Sequence, residues 1–251
     1  MAITTSLDKG VFQILFDRPE KRNSLDSQHC IELCAQLKQA DEDKNVGAIV
    51  LCGLTNVFCP GLDIEEMHST PQTVISAFDA LIEQIDTTQK PIVVAVNGPA
   101  VAQGVALLYH CDIVYCGEHA LFSLPSLALG LTPRYGVSSL AVKNGGYKLA
   151  AQKILLSEPI SPSEAVELGI VNHVLPDDKV LGQATASAVR LACMPPIALK
   201  ETKQLLKNAY FYGIQDAVEQ EEATFPSMLG AKENQEALAA FMENRQPNFE
   251  R

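Results

Sequence analysis

The sequence predicts an α/β fold with buried, parallel-type strands. Two runs rich in valine and isoleucine, 46–53 and 92–98, are too apolar to face water on either side. Each is followed by a segment whose apolar residues recur at helical spacing. After Gly136 the pattern becomes almost entirely helical. We therefore expect a core over 1–194 and a C-terminal helical region over 195–251.

The expected elements follow in chain order. ITTSL and VFQILF flank the turn residues Asp8-Lys9-Gly10, which predicts an N-terminal hairpin. Asp26 is placed to cap a helix through about Glu42. The apolar stripe of that helix is expected to contain Ile31, Leu33, Leu37 and Ala40. Further helices are expected around 74–86 and from Gln103, and further strands at 112–116 and 169–175.

Composition excludes several classes of partner. The chain has 251 residues, of which 47% are hydrophobic, and a formal net charge of -11. Nucleic-acid and polybasic membrane binding both need a surplus of Lys and Arg, so neither partner is expected. No run reaches the roughly 18 apolar residues of a membrane span, and the first residues carry no signal pattern. We expect a cytoplasmic protein.

The seven cysteines indicate no metal site. They are scattered along the chain without a Cys-x-x-Cys pair or histidines at zinc spacing. Most are expected to serve as small buried apolar residues in a reducing compartment.

Two glycine-containing turns carry the most informative chemistry. In NVFCPGLDIEEM (56–67), Pro60-Gly61 forms a tight turn and Asp63 is placed to cap a short helix. Ala102-Gln103-Gly104 precedes a helix in the same way. Because the first N–H groups of a helix lack intrahelical acceptors, two such turns that converge would form an oxyanion hole from backbone alone.

Several motifs resemble the enoyl-CoA hydratase/isomerase (crotonase) superfamily. FCPGLDIEEM is similar to the family's F-[SC]-x-G-x-D-[IL]-x-E-[ML], and PIVVAVNGPAVAQGVALLYHCDIVYC to its strand–turn–helix segment. DRPEKRNSLD, LGLTPRYGVSSL, EAVELGIVNHVLP and QPNFER resemble its other landmarks, in order, over nearly the whole chain. The resemblance implies a crotonase (ClpP-like) spiral of repeated ββα units with a C-terminal α-helical trimerisation region. It also implies homotrimers or hexamers.

The same resemblance implies binding of acyl-CoA thioesters, with an enolate-like oxygen held between two backbone N–H groups. By position these belong to Leu62 and Gln103, although the family usually has Gly-Gly-Gly at Ala102-Gln103-Gly104. The acyl group is expected to lie near Gly61, Asp63, Ile64 and Ala106. Coenzyme A is part of the substrate, so no separate cofactor is implied.

The positions of the family's catalytic carboxylates hold other residues. The two hydratase glutamates correspond to Ala106 and Ser126, and the isomerase acid corresponds to Arg134. Alanine transfers no proton, an unassisted serine is too weak a base, and an arginine stays protonated but can stabilise an anion. Ordinary hydration is therefore doubtful.

Several other side chains near these positions are candidate replacements for the missing acids. Tyr135 is expected either to line the pocket or merely to pack beside Arg134. A structural or solvent-exposed role is favoured for His68, Tyr109, His110, Glu65, Glu66 and Cys59.

Cations are needed to offset the charge of coenzyme A on an acidic protein. Arg18, Lys21 and Arg22 cluster in the loop that resembles the family's CoA loop, and Lys21 or Arg22 is expected to reach phosphate or ribose. The alternative for these residues is a solvated turn. The family's use of a neighbouring subunit's tail suggests Phe249 and Arg251 at the adenine end.

Two functions stay open on the sequence. The first is a lyase or isomerase of fatty acid metabolism that stabilises a thioester oxyanion, and the retained turns favour it. The alternative is a non-catalytic acyl-CoA-binding homologue, which the missing carboxylates favour.

Overall fold

A computed structural model describes residues 3–54 and 56–249 of the chain. The strands are β1 (Ile3–Asp8), β2 (Val11–Phe16), β3 (Ala48–Cys52), β4 (Ile92–Val96), β5 (Pro99–Val101), β6 (Ile113–Gly117), β7 (Leu121–Ser123) and β8 (His173–Leu175). The helices are α1 (Ser27–Glu42), α2 (Ile64–Ser69), α3 (Pro71–Thr87), α4 (Gln103–His110), α5 (Val137–Leu155), α6 (Pro162–Glu167), α7 (Val180–Ala192), α8 (Pro196–Phe211), α9 (Gln215–Met228) and α10 (Lys232–Met242).

The main sheet has six strands in the order β1-β2-β3-β4-β6-β8. The β1–β2 hairpin is antiparallel and every other pair is parallel. All residues of β3 and β4 are buried, because α7 covers one face of the sheet while α1 and α3 pack against the other. Full burial on both faces explains why these two strands read as unbroken apolar runs.

A second, two-stranded sheet pairs β5 with β7 in parallel. β5 directly follows β4 of the main sheet, and β7 follows β6. These two main strands thus each continue into a short strand of the second sheet and then into a helix, α4 or α5. The predicted spiral of ββα units is confirmed.

Two expectations about local structure are wrong. Ile31 is 55% exposed, and the buried stripe of α1 consists of Cys30, Leu33, Leu37 and Ala40. Ile31 lies one residue, about 100° of helical rotation, away from Cys30, which takes the core-facing position instead. The last strand covers only 173–175, because the backbone N–H groups of Ile170 and Val171 both donate to Ala165 at the end of α6.

The C-terminal helices are tied to the rest of the same chain. The Glu221 carboxylate of α9 accepts hydrogen bonds from the backbone N–H of Gly136 and Ser138 at the start of α5. The Asn234 amide of α10 donates to the carbonyl of Leu129. The division at residue 194 stays a prediction. Within the described ranges, no helix is long and apolar enough to span a bilayer.

Gly104 lies too close to the backbone of Cys59 to carry a side chain. A Cβ added there would lie 2.2 Å from the carbonyl oxygen of Cys59, whereas a Cβ on Gly182 of α7 would meet no heavy atom within 4 Å. We expect Gly104→Ala to lower the free energy of unfolding by about 3 kcal/mol, the upper end of overpacking costs. Gly182→Ala, the matched control, is expected to raise it by about 0.5–1 kcal/mol through helix propensity. Urea denaturation monitored by circular dichroism measures both, and equal effects would contradict the close approach at Gly104.

Candidate active site

The first glycine turn leaves the N–H of Leu62 without an acceptor. Leu62 pairs with Leu25 in an isolated parallel bridge, in which Leu25 N donates to Gly61 O at 2.9 Å and Asp63 N donates to Leu25 O at 2.8 Å. This bridge uses the polar groups of the residues on either side of Leu62, so the N–H of Leu62 points the other way and meets no acceptor among the described residues. The Asp63 carboxylate then caps α2 by accepting from the N–H of Glu65 and Glu66.

The second turn leaves the N–H of Gln103 unpaired in the same way. Gln103 is the first residue of α4, and Val105 N and Ala106 N both donate to the carbonyl of the N-cap residue, Ala102. The N–H of Gln103 has no partner in the described part of the chain. Ala102 holds φ 50° and ψ −112°, a conformation that glycine adopts easily and alanine does not.

The two turns are joined by backbone hydrogen bonds. Val101 N donates to Cys59 O at 2.9 Å, and Cys59 N donates to Pro99 O at 3.1 Å. A Cβ built on Gly61 would lie 3.0 Å from the Gln103 side-chain oxygen. Leu62 and Gln103 therefore lie on adjoining loops, and both line one cavity of about 640 Å³.

Most of the predicted site residues meet at this cavity. Its wall contains Leu62, Ile64, Gln103, Ala106, Ser126, Arg134, Tyr135 and Phe249. The wall is largely apolar, and none of the described residues that line it carries a carboxylate. Lys21, Arg22, Gly61 and Asp63 are not part of the wall. The catalytic and binding roles assigned to all these residues stay predictions.

Arg134 and Tyr135 form a sharp corner in the wall. Tyr135 has φ 65°, and its carbonyl accepts a hydrogen bond from His110 Nε2 at 3.0 Å. The other ring nitrogen of His110, Nδ1, lies 2.9 Å from the Asp86 carboxylate, so His110 links the corner to α3. Burial disfavours the charged form of Asp86, but His110 and Lys207 hold the pKa of its carboxyl below the usual value.

The Arg134 guanidinium is largely buried within this corner. Its side chain is 12% exposed, and Nη1 lies 3.2 Å from Asp79 Oδ1 and 3.3 Å from the Tyr135 hydroxyl. Burial raises the pKa of the Tyr135 hydroxyl well above its usual value. Tyr135 is thus a hydrogen-bond donor near neutral pH and cannot act there as an ionised base.

The family model described as enoyl-CoA hydratase/isomerase matches residues 6–251. The chain belongs to the enoyl-CoA hydratase/isomerase family, within the crotonase superfamily.

Relatives and solved structures match this chain over nearly its full length. The chain is 30% identical over 249 residues to 2,3-dehydroadipyl-CoA hydratase of Escherichia coli (strain K12), covering 98% of each chain. It is 31% identical to mitochondrial enoyl-CoA hydratase of Pongo abelii, covering 96% of this chain and 83% of that one. Among solved structures, enoyl-CoA hydratase/isomerase from Pseudoalteromonas atlantica T6c superposes with a TM-score of 0.91 at 29% identity, covering 100% of both chains. Pseudomonas aeruginosa OdaA superposes with a TM-score of 0.90 at 30% identity, covering 96% and 98%.

Most of the candidate replacement side chains are exposed or have structural contacts. His68 is exposed at the end of α2, and the Tyr109 hydroxyl donates to Leu168 O. Burial raises the pKa of the Cys59 thiol to about 12, which leaves it unreactive. Glu65 is exposed, as expected, but Glu66 is not a free solvated side chain. Its carboxylate accepts from the backbone N–H and hydroxyl of Ser27 and so joins α2 to α1.

Two of the three cations of the N-terminal loop, Arg18 and Lys21, already form ion pairs with carboxylates. Lys21 Nζ lies 2.7 Å from Glu65 and 3.8 Å from Asp63, and the hydrogen bond with Glu65 raises the pKa of the Lys21 amine. Arg18 pairs with Asp26 and Asp63. Arg22 is exposed with φ 52°, at the end of the 3-10 turn that follows β2.

Sequence reasoning missed a carboxylate and a C-terminal clamp. Asp79 of α3 contacts Arg134, although no motif singles it out. The Glu236 carboxylate binds both terminal nitrogens of Arg245 and accepts from Asn248 N, which brings the C-terminal segment to the wall. Phe249 thus lines the cavity of its own chain, whereas the resemblance suggested a neighbour's. Arg251 lies outside the described residues.

Ala102 carries backbone strain that the family's usual glycine would not. A non-glycine residue held in such a conformation costs about 1–3 kcal/mol. We expect Ala102→Gly to raise the free energy of unfolding by about 1 kcal/mol, since relief of strain exceeds the added entropy of the unfolded chain. Urea denaturation measures this change.

The control for this substitution is Ala184→Gly in the buried face of α7, where alanine has ordinary helical geometry. It is expected to destabilise the protein by about 1 kcal/mol. Loss of stability in both variants would show that Ala102 is unstrained.

Proposed function

We propose that this protein binds acyl-CoA thioesters and stabilises the oxyanion or enolate that forms at the thioester carbonyl. One observation carries the proposal: the N–H groups of Leu62 and Gln103 have no acceptor among the described residues, lie in two turns joined by hydrogen bonds, and belong to residues that line the same cavity. Fixed donors of this kind stabilise negative charge as it develops without needing to reorganise.

The reaction is expected to need little acid–base assistance. The two N–H groups would draw electron density from the carbonyl and thereby hold an enolate. Ser126, Arg134 and Tyr135 are the polar side chains proposed to act nearby. General acid–base catalysis contributes about 10²–10⁴-fold, so a site with Ala106 and Ser126 in place of both acids would be a poor hydratase. Decarboxylation or thioester cleavage fits this wall better than hydration or isomerisation, because a double-bond isomerase must also remove and return a proton.

The CoA moiety is proposed to lie toward the N-terminal loop. Lys21 or Arg22 would contact its phosphates or ribose, and Lys21 would exchange its contact with Glu65 for a phosphate. Gly61 and Asp63 would support the thioester indirectly, because Asp63 caps α2 and Gly61 keeps the space beside Gln103 open.

A non-catalytic acyl-CoA-binding role is the second candidate. It is favoured by the cavity wall, whose described residues include no carboxylate. A panel of acyl-CoA thioesters that includes crotonyl-CoA, followed by mass spectrometry, distinguishes the two candidates. Turnover of one thioester with very slow hydration of crotonyl-CoA supports the enzyme, and binding without any turnover supports the second candidate.

The oxyanion donors are tested by removing one N–H group. We expect Leu62→Pro to abolish turnover, because proline carries no N–H. One such donor is worth about 3–4 kcal/mol toward a transition state. Binding of a ground-state thioester should weaken only modestly, so steady-state kinetics and calorimetry are both measured.

Two control variants separate the donor from the side chain. Leu62→Met keeps the N–H group and the side-chain volume and should retain turnover. Gln103→Gly keeps the second N–H group, removes the side chain beside Gly61, and should preserve or improve both turnover and binding. Circular dichroism and oligomer size confirm folding. A folded Leu62→Pro variant with the parent rate would exclude the proposed oxyanion hole.

We also propose that the chain assembles into a trimer or hexamer. Helix α8 and the residue that follows it expose several large apolar side chains: Ile197, Leu205, Leu206 and Tyr212 are 78%, 70%, 66% and 86% exposed. Such a patch is typical of a subunit interface. Sedimentation at micromolar concentration should show a trimer or hexamer that Leu205→Lys combined with Leu206→Lys dissociates. Leu156→Lys, at another exposed leucine, should leave the assembly intact, and a monomeric parent would contradict the proposal.

A further inference from the structure

We infer that the acyl group bound in this cavity carries a carboxylate, which Arg134 and Thr132 hold. The inference rests on the proposed function, since it names the class of acyl-CoA that the same site accepts.

Arg134 is a fixed cation with unused donors. Its Nη1 faces Asp79 and the Tyr135 hydroxyl, and its Cζ lies 4.9 Å and 4.8 Å from the ring centroids of Tyr135 and Phe225. These contacts hold the guanidinium in place. Its Nε is buried and has no hydrogen-bond partner among the described residues.

A second unpartnered polar group, the hydroxyl of Thr132, lies in the same loop. The side-chain oxygen of Thr132 is also buried without a partner in the described part of the chain, and Thr132 and Arg134 both line the cavity. Buried polar atoms in proteins are bonded in the large majority of cases, so each exception needs an explanation. Two such groups two residues apart in one wall are explained together by a ligand that accepts hydrogen bonds from both.

A carboxylate fits these groups better than any uncharged acyl end. The guanidinium only donates hydrogen bonds, and its planar arrangement of N–H groups matches the two oxygens of a carboxylate. An alkyl chain packed against Arg134 would remove the cation from water and return no hydrogen bond. Discrimination between the two kinds of acyl group thus has two sources. A carboxylate gains hydrogen bonds from Arg134, and an alkyl end leaves the buried cation without them.

The other charges in the region leave this role to Arg134. Arg245, the second cation of the wall, is already bound by Glu236 through both terminal nitrogens. Asp79 contacts Arg134 at Nη1 through Oδ1, which is buried and has no hydrogen-bond partner among the described residues, so Asp79 does not occupy the Nε side of the guanidinium.

Coenzyme A itself supplies another anion, its phosphates, and the experiment separates the two sources. Calorimetry is carried out on free CoA, on straight-chain acyl-CoA thioesters of three to six acyl carbons, and on the matching thioesters whose acyl chain ends in a carboxylate. The parent is expected to bind at least one carboxylated thioester roughly 10- to 100-fold more tightly than its uncharged match. Arg134→Met should abolish that preference without weakening free CoA.

Conservative variants refine the test. Arg134→Lys keeps a charge but loses the planar donor set, so it should retain only part of the preference. Thr132→Val removes only the hydroxyl and should reduce the preference roughly threefold or more. Arg190→Gln, an exposed arginine on α7, is the control and should change nothing.

Each outcome decides the inference. A parent that binds acyl-CoA without preferring the carboxylated member of any pair overturns the inference and leaves the proposed function intact. If Arg134→Met weakens the binding of free CoA and of all thioesters equally, Arg134 contacts the phosphates and the inference is overturned. If the parent binds no thioester, the proposed function and this inference both fail. If Arg134→Met does not fold, an unchanged preference in Thr132→Val overturns the shared role.

Discussion

The close contact between the two glycine turns is the constraint on which the site depends. Cys59 exchanges backbone hydrogen bonds with the strand before α4, and the carbonyl of Cys59 leaves no room for a side chain at Gly104. This contact sets the first turn against the start of α4. The backbone hydrogen bonds of the two turns do not involve the N–H groups of Leu62 and Gln103, which have no acceptor among the described residues. Both donors are therefore available where the two turns meet.

The same cavity combines strong anion stabilisation with little capacity for proton transfer. Its wall offers backbone N–H groups, a hydroxyl at Ser126, a phenol whose pKa is raised by burial, and a guanidinium that stays protonated. Such a wall favours chemistry in which charge develops on the substrate itself. Asp79, the carboxylate in contact with Arg134, is paired with that cation and so is not a free base.

The C-terminal helices complete the site within one chain. Glu221 caps the start of α5 immediately after the Arg134–Tyr135 corner, and Phe225 packs against the guanidinium. The clamp between Glu236 and Arg245 brings the final described residues to the cavity wall. Residues near the C-terminus thus shape a cavity whose wall also contains Leu62 and Gln103 of the glycine turns.

What the sequence determined by itself was local and periodic. Apolar runs identified β3 and β4, Asp26 and Asp63 identified helix starts, and the glycine turns indicated backbone donors, because each depends on neighbours within a few residues. The resemblance to the family then assigned those donors to Leu62 and Gln103. Tertiary structure decided the rest. Ile31 faces solvent although its spacing allowed burial, and Glu66 bonds Ser27 across 39 positions. The partnership of Asp79 with Arg134 and the placement of Phe249 depend on contacts between distant segments, whose energies no local pattern encodes.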